Sequence, residues 1–487
     1  FVRQVLIFLH RYFGIALSLL FVVWFVSGIV MIYAKGMPEL TAGLRLQRLP
    51  PINFLQIHLS PSQAAERGGA AGPPPRALLL TIMGRPAYRF SGSQTVTVFA
   101  DNGDVMPPPG VPESLSIASD FLNVPKTSMH FLRTIMEPDQ WTIGNRRQLP
   151  LHQIAVDDAA HTQVYVSRLS GEVAMVTTRG SRALAWVSAI PHWLYLESLR
   201  RNGSLWQSVV LWTSGLGTIL ALMGMVLAVI QYSRRRPHIP YAGWMRWHYI
   251  TGAVFGVFTL TWVFSGFLSM EPWNWASEGG LGDGMREAYS GGPLELAAFP
   301  TMDRAAWELM FPNTPLKEIE FLRIQGIAYF AVRGNQPEPV LVSANPLQIH
   351  REPFSRESLV GKAREANPDV PIANSEELSH YDSYYYARGG EAPLPVLRIQ
   401  FDDPDKTWFY IDPKMGRILA RFQARERLQR WIYHGLHSLD FSFWYYNRPL
   451  WDIGVIVLCC GGAALSAIGV VISFRRIRRD LRRIVGA

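Results

Sequence analysis

Hydrophobic and polar positions along the chain fall into two textures. Four long stretches are apolar almost without interruption: Phe13–Tyr33, Leu205–Tyr232, Tyr249–Met270 and Leu450–Phe474, the last carrying only Asp452 near one end. Each is long enough to cross the hydrocarbon of a bilayer as a helix. Two long connections separate them, and there short β-branched and aromatic runs alternate with Asp, Asn, Pro and Gly. Hairpins are predicted at Thr95–Val105, Gln163–Val173, Val340–Ile349 and Trp408–Ile418, each around such a turn. Helices are predicted at Ser60–Arg67 and Arg356–Glu365. The chain divides on this reading into a first span within 1–34, an outside lobe over 35–204 and a second span over 205–232. A loop over 233–248, a third span over 249–270, a second lobe over 271–449, a fourth span over 450–474 and a tail over 475–487 complete it.

Charge orients these spans. The segments Phe1–Tyr12, Ser233–His248 and Arg475–Ala487 hold twelve arginines, among them Arg3, Arg11, Arg234, Arg235, Arg236, Arg246, Arg475, Arg476 and Arg479, against one acid, Asp480. The formal net charge of the whole chain is only +9, so the basic excess is concentrated beside the spans. By the positive-inside rule these segments are cytoplasmic, both termini are inside, and the two long connections lie on the opposite face. In a bacterium that face is the periplasm. The basic charge is thus a topology signal and gives no reason to expect nucleic acid. The first span is too long for a secretory signal and no small-residue cleavage site follows it. The chain opens at Phe1 with no initiator Met, so preceding residues are expected.

The spans also repeat. His10, Gly14, Trp24, Ser27 and Gly28 recur at identical spacing as His248, Gly252, Trp262, Ser265 and Gly266. An offset of 245 places Trp206 on Trp451, Gly217 on Gly462, Gly224 on Gly469 and His192 on His437. The expected fold is therefore a membrane protein: a four-helix transmembrane bundle from two tandem repeats, with two α+β lobes outside. Both halves start on the same side, which makes the repeat parallel.

The repeat singles out four of the twelve histidines. His10 and His248 match at the inner edge, and His192 and His437 match at the outer edge. A pseudo-two-fold axis brings each pair face to face, which is the ligand set of a bis-His haem b between helices. Two haems b are expected, one per pair, with Arg3, Arg11 and Arg246 near the inner propionates. Arg200, Arg201 and Arg448 are expected near the outer ones, and Gly14, Gly28, Gly252 and Gly266 are expected to leave room. His434, three residues before His437, is either an alternative outer ligand or a neighbour of it. Plainer readings stand beside these: a membrane-edge histidine also serves as an interfacial anchor, and Ser-Gly pairs also serve helix packing. His58, His130, His152, His161, His238, His350 and His380 have no matching partner and read as surface or structural.

Two adjacent cysteines, Cys459 and Cys460, are all the chain has. A disulfide scaffold, a Cys-ligated zinc site, a Cys-ligated iron–sulfur cluster and c-type haem attachment are thereby excluded. Zinc-protease, serine-hydrolase and P-loop motifs are absent, as is a dinucleotide-binding glycine fingerprint, so electrons must come from a separate cytoplasmic or membrane donor.

The two repeated spans, Ile190–Tyr195, Tyr433–Asp440 with Arg448–Asp452, and the hairpin ending at Gly416 together resemble the PepSY-associated transmembrane family of bacterial inner-membrane proteins. The resemblance covers nearly the whole chain and implies PepSY-like periplasmic lobes. It further implies an activity known among such relatives, that of diheme ferric-siderophore reductases of the ferrioxamine-reductase type, which pass electrons outward to release iron. Ferric siderophore iron, or another periplasmic acceptor, is the expected partner. Trp24, Trp262 and Trp212 are expected as medium between the haems, and the tyrosines of Tyr381–Tyr386 either face a ligand or serve as sheet surface. Two other readings stay open: a haem-bearing electron-transfer subunit of a larger redox assembly, and a haem-free PepSY sensor or protease regulator.

Overall fold

The computed structural model describes residues 1–34, 36–69, 72–92, 95–233, 238–275, 283–336, 338–387 and 392–485. Arg234, Arg235 and Arg236 of the expected inner loop lie outside them. Four helices are long and apolar enough to cross a membrane: α1 (Val2–Met31), α2 (Gly203–Ile230), α3 (Gly243–Leu268) and α4 (Leu450–Val485). Each contains or overlaps a predicted span and runs beyond it at one end. The 36 residues of α4 extend through the arginine-rich tail because arginine is a good helix former and residues 475–485 contain no Gly or Pro. At the start of α2, Asn202 accepts the backbone N–H of Leu205 and so caps one of the helix's unpaired donors.

The chain forms two compact units. The helical unit comprises residues 1–37, 180–277 and 425–487; the β unit comprises 38–179 and 278–424. The stretches 180–204 and 425–449, which the hydropathy reading assigns to the lobes, thus belong with the helices. Side chains account for this. Trp206 on α2 donates its indole N–H to the carbonyl of Trp193 (2.8 Å), and Trp451 on α4 donates to Ser438 (3.2 Å). Leu194 and Leu439, which follow, both take left-handed backbone (φ 53° and 51°) that ends the short helical turn. All of these pairs are related by the offset of 245.

Within the helical unit, α1 packs on α2 and α4, and α3 packs on the same two, so α1 and α3 lie diagonally. Phe21, Phe25, Leu220, Trp262 and Val263 are buried in its core. Two glycines admit the aromatic rings. A Cβ on Gly217 would come within 2.9 Å of Phe21, and one on Gly462 within 2.4 Å of Phe25. Arg3 donates to Gln231 (2.8 Å), so the start of α1 meets the end of α2.

The β unit is built from four antiparallel meanders, each preceded by a helix. Pro61–Arg67, opened by a Ser60 capping box, leads to β1 (Arg76–Ile82), β2 (Arg85–Ser91) and β3 (Val96–Phe99). Val111–Leu122 leads to β4 (Met129–Ile135), β5 (Leu151–Val156), β6 (Gln163–Ser167) and β7 (Val173–Thr177). Arg304–Met310 leads to β8 (Glu318–Ile324), β9 (Ile327–Arg333), β10 (Val340–Ala344) and β11 (Leu347–Ile349). Arg356–Ala366 leads to β12 (Ile372–Leu378), β13 (Val396–Phe401), β14 (Trp408–Asp412) and β15 (Arg417–Phe422). The predicted hairpins at residues 163–173, 340–349 and 408–418 are all present.

The two connections share a sheet. Strand β1 pairs antiparallel with β8, and the seven-stranded order β11-β10-β9-β8-β1-β2-β3 reads β-meander outward in both directions from that seam. Leu79 and Leu80 are fully buried at the seam opposite Ile319 and Glu318. An apolar strand with an open edge needs such a partner. Four-stranded sheets β4–β7 and β12–β15 stand apart from it. The tyrosines of Tyr381–Tyr386 belong to the second of these: Tyr385 stacks on Tyr410 (5.1 Å), and Asp382 accepts from Arg398 and Tyr410 at 2.7 Å each. They are core and bracing of that sheet.

Candidate histidine sites

His10 on α1 and His248 on α3 face each other with ring centroids 6.2 Å apart. His192, on the turn Ala189–Trp193, and His437, just after a π-helical turn over Arg430–Gly435, do the same at 6.0 Å. Both pairs expected from the sequence are therefore brought together. His434 is not the partner of His192; its ring packs on Tyr433 (4.7 Å), which also touches His437 (5.4 Å).

Each ring rests in a cradle of the same design on one helix. His192 Nδ1 lies 3.1 Å from Ser27 Oγ and 3.2 Å from the Trp24 carbonyl, with Gly28 beside its Cε1. His437 Nδ1 lies 3.0 Å from Ser265 Oγ, with Gly266 beside its Cε1. His10 Nδ1 lies 3.2 Å from the Leu220 carbonyl, with Gly224 beside it. His248 faces the Leu465 carbonyl without a hydrogen bond of ordinary geometry, next to Gly469. So α1 and α3 hold the outer rings, and α2 and α4 hold the inner ones. A Cβ would stand 3.0 Å from His10 at Gly224, 3.4 Å from His192 at Gly28, 3.8 Å from His248 at Gly469 and 3.9 Å from His437 at Gly266.

The hydrogen bonds assign the tautomers. A backbone carbonyl only accepts, so His10 donates from Nδ1. A neutral imidazole that donates from Nδ1 carries its lone pair on Nε2. Burial pushes the His192 imidazole down to about 4, against the hydrogen bond to Trp24 that opposes the shift, so this ring is neutral near pH 7. A neutral ring with its second N–H held by a carbonyl or hydroxyl is how metal-ligating histidine is presented.

The spacing and donor set suit a haem. Two metal–imidazole bonds of about 2 Å each, with a ring radius beyond each nitrogen, bring two centroids to about 6 Å. Among the described residues no group of three or more His, Cys, Asp and Glu converges, and each pair offers two imidazoles. At the inner pair the rings open on a cavity of about 1220 Å³ lined by Gly14, Gly224, Gly252 and Gly469, with Arg3, Arg11, Arg475, Arg476 and Arg479 on its walls. The arginines expected at the outer pair are engaged elsewhere. Arg200 lies over Tyr195 and Trp206, Arg201 pairs with Glu197, and Arg448 lies over Trp451 and pairs with Asp452.

The sequence reading expects Gly14, Gly28, Gly252 and Gly266 to leave room for a macrocycle or a close helix. Gly28 and Gly266 lie beside the His192 and His437 rings, while Gly14 and Gly252 line the cavity on which the inner rings open. The glycines that do touch the inner rings, Gly224 and Gly469, were visible only as a matched pair in the repeat. Leu220 and Leu465 act through their carbonyls, which side-chain identity does not signal. Of the unmatched histidines, His152 is buried and bonded to Ser114 Oγ (2.8 Å) inside the β unit.

A family model described as "PepSY-associated TM region" matches residues 7–476. No curated protein matches the chain significantly.

Proposed function

The chain belongs to the family of the PepSY-associated TM region, and from that premise we propose that it is a diheme b protein of a bacterial inner membrane, built by tandem duplication. His10 and His248 hold one haem near the cytoplasm, and His192 and His437 hold the other near the periplasm. When bound, a bis-His haem supplies a one-electron couple with no open iron position. The protein's own residues position the rings through Ser27, Ser265 and the Leu220 carbonyl. Arg11 and Arg479 offer cations to the inner propionates, beside Arg3, which bonds Gln231, Arg475, which lies over Trp244, and Arg476, which pairs with Asp480. Phe21, Phe25, Trp24 and Trp262 fill the bundle with aromatic side chains and exclude water.

Electrons then enter from a separate cytoplasmic or membrane donor and leave to a periplasmic acceptor. Ferric iron in a siderophore is the acceptor class, because reduction to the ferrous state weakens hard oxygen coordination. The arginine-rich ends of the spans support the orientation.

The single observation that carries this reading is the pair of facing imidazole couples at 6.2 and 6.0 Å, each ring held at Nδ1 or faced by a carbonyl. The test is the visible spectrum and pyridine haemochrome count of the detergent-purified protein and of His10→Ala and His192→Ala. Two b-type haems per chain are expected, with a different one lost in each variant. A colourless wild type after haem supply during expression overturns it.

A further inference from the structure

Ser27 and Ser265 do more than pack helices. A hydroxyl has one proton. That of Ser27 is directed at the α1 backbone, with Oγ 2.6 Å from the Val23 carbonyl and 3.1 Å from that of Trp24; that of Ser265 goes to the Trp262 carbonyl at 2.9 Å. The contact to each histidine therefore runs the other way, from ring Nδ1–H to serine oxygen. Both serines are almost fully buried (1% and 0% exposed), so no bulk water replaces the hydroxyl. Back-bonding of a mid-helix serine is common and structural in itself. Here the hydroxyl forms the middle of a chain, imidazole to hydroxyl to carbonyl, in which each bond polarises the next. The inner pair lacks the hydroxyl: His10 donates to a carbonyl alone and His248 makes no hydrogen bond of ordinary geometry at Nδ1, whereas His192 shares its N–H between Ser27 and the Trp24 carbonyl and His437 meets Ser265.

We propose that Ser27 and Ser265 are positioning residues that fix His192 and His437 in the Nδ1–H tautomer and set the reduction potential of the outer couple separately from the inner one. The proposal rests on the haem reading above. A ring that donates its N–H to an acceptor is a stronger electron donor through its other nitrogen, which favours the ferric state. Removing both hydroxyls takes Ser265 from His437 and leaves His192 the Trp24 carbonyl alone, which shifts the outer couple upward.

The experiment is a spectropotentiometric titration of the purified holoprotein as wild type, S27A/S265A, S27T/S265T and S214A. Ser214 bonds only back to its own helix, at Val210 (2.5 Å) and Leu211, and controls for the packing role. The expected result is two haems in every variant and one couple moved to higher potential in S27A/S265A alone. That couple is the one missing from His192→Ala, and the threonine variant returns it. Two haems with both couples unmoved in S27A/S265A overturns the proposal while leaving the haem reading intact. A wild type without haem overturns both.

Discussion

The histidine pairs of the helical unit and the ion cluster of the β unit are both buried polar constellations, and they are wired in opposite ways. In the β unit, Arg45 bridges Glu172 and Glu318, Arg89 also meets Glu172, and Arg333 reaches Glu318 and Glu320, which Arg76 closes from the other side. Every charge there has an opposite charge within the cluster. In the helical unit His10, His192 and His437 each lie with Nδ1 within hydrogen-bond reach of an oxygen of the protein, His248 faces a carbonyl, and the rings face one another in two pairs. Burial and perturbed titration mark both places. Only the second has the donor set of a ligand site; the first is a clamp between the two connections, with Arg76–Glu320 across the β1–β8 seam and Arg45–Glu318 beside it.

Breaking the clamp has the largest expected effect. Arg89→Ala leaves Glu172 with Arg45 as its remaining cation and costs the β unit about 1.5–3 kcal/mol, the scale of a lost hydrogen bond to a charged group, read as a lower midpoint in chemical denaturation with the haem spectrum expected from the proposal unchanged. Next comes Gly224→Leu, which drives a side chain into His10, the ring with the tightest clearance. On the diheme proposal, haem content falls from two to one per chain while the β unit keeps its stability. A smaller effect comes from acid. Burial opposes ionisation of Glu172, but Arg89 and Arg45 outweigh it and hold the carboxyl below its ordinary range. Its contribution to stability is full above the ordinary glutamate value of about 4.3 and is lost as pH falls through the depressed value. Glu172→Gln flattens that acid limb of the thermal melting profile and leaves the spectrum unchanged. The smallest effect is at Gly266→Ala. A methyl there finds 3.9 Å to His437, an ordinary contact, and the outer haem spectrum stays as in wild type. Loss of a haem in Gly266→Ala, or in Arg89→Ala, breaks the distinction between clamp and site.

The sequence carries the spans, the hairpins and the four histidines because each leaves a local or repeated signal: unbroken apolarity, turn residues, matched spacing. Trp24, Ser27 and Gly28 against Trp262, Ser265 and Gly266 is legible as a motif, but its meaning is not, because the ring that Ser27 holds lies 165 positions away. The inner cradle is harder still. Half of it is a backbone carbonyl, and a leucine's name says nothing of what its carbonyl accepts. The β1–β8 seam escaped for a related reason. Strand alternation reports which face of a strand is buried, whereas pairing along the edge is decided by shape and by what else needs covering.

That seam fixes an order of events in the life of the chain. Leu80 pairs with Glu318, so the first meander must wait for residues made nearly half a chain later. At about 5–20 residues per second, the wait is on the order of 10–50 seconds. Throughout it β1 offers an open edge while α2 and α3 are being inserted. The seven-stranded sheet is therefore complete only when both connections are present.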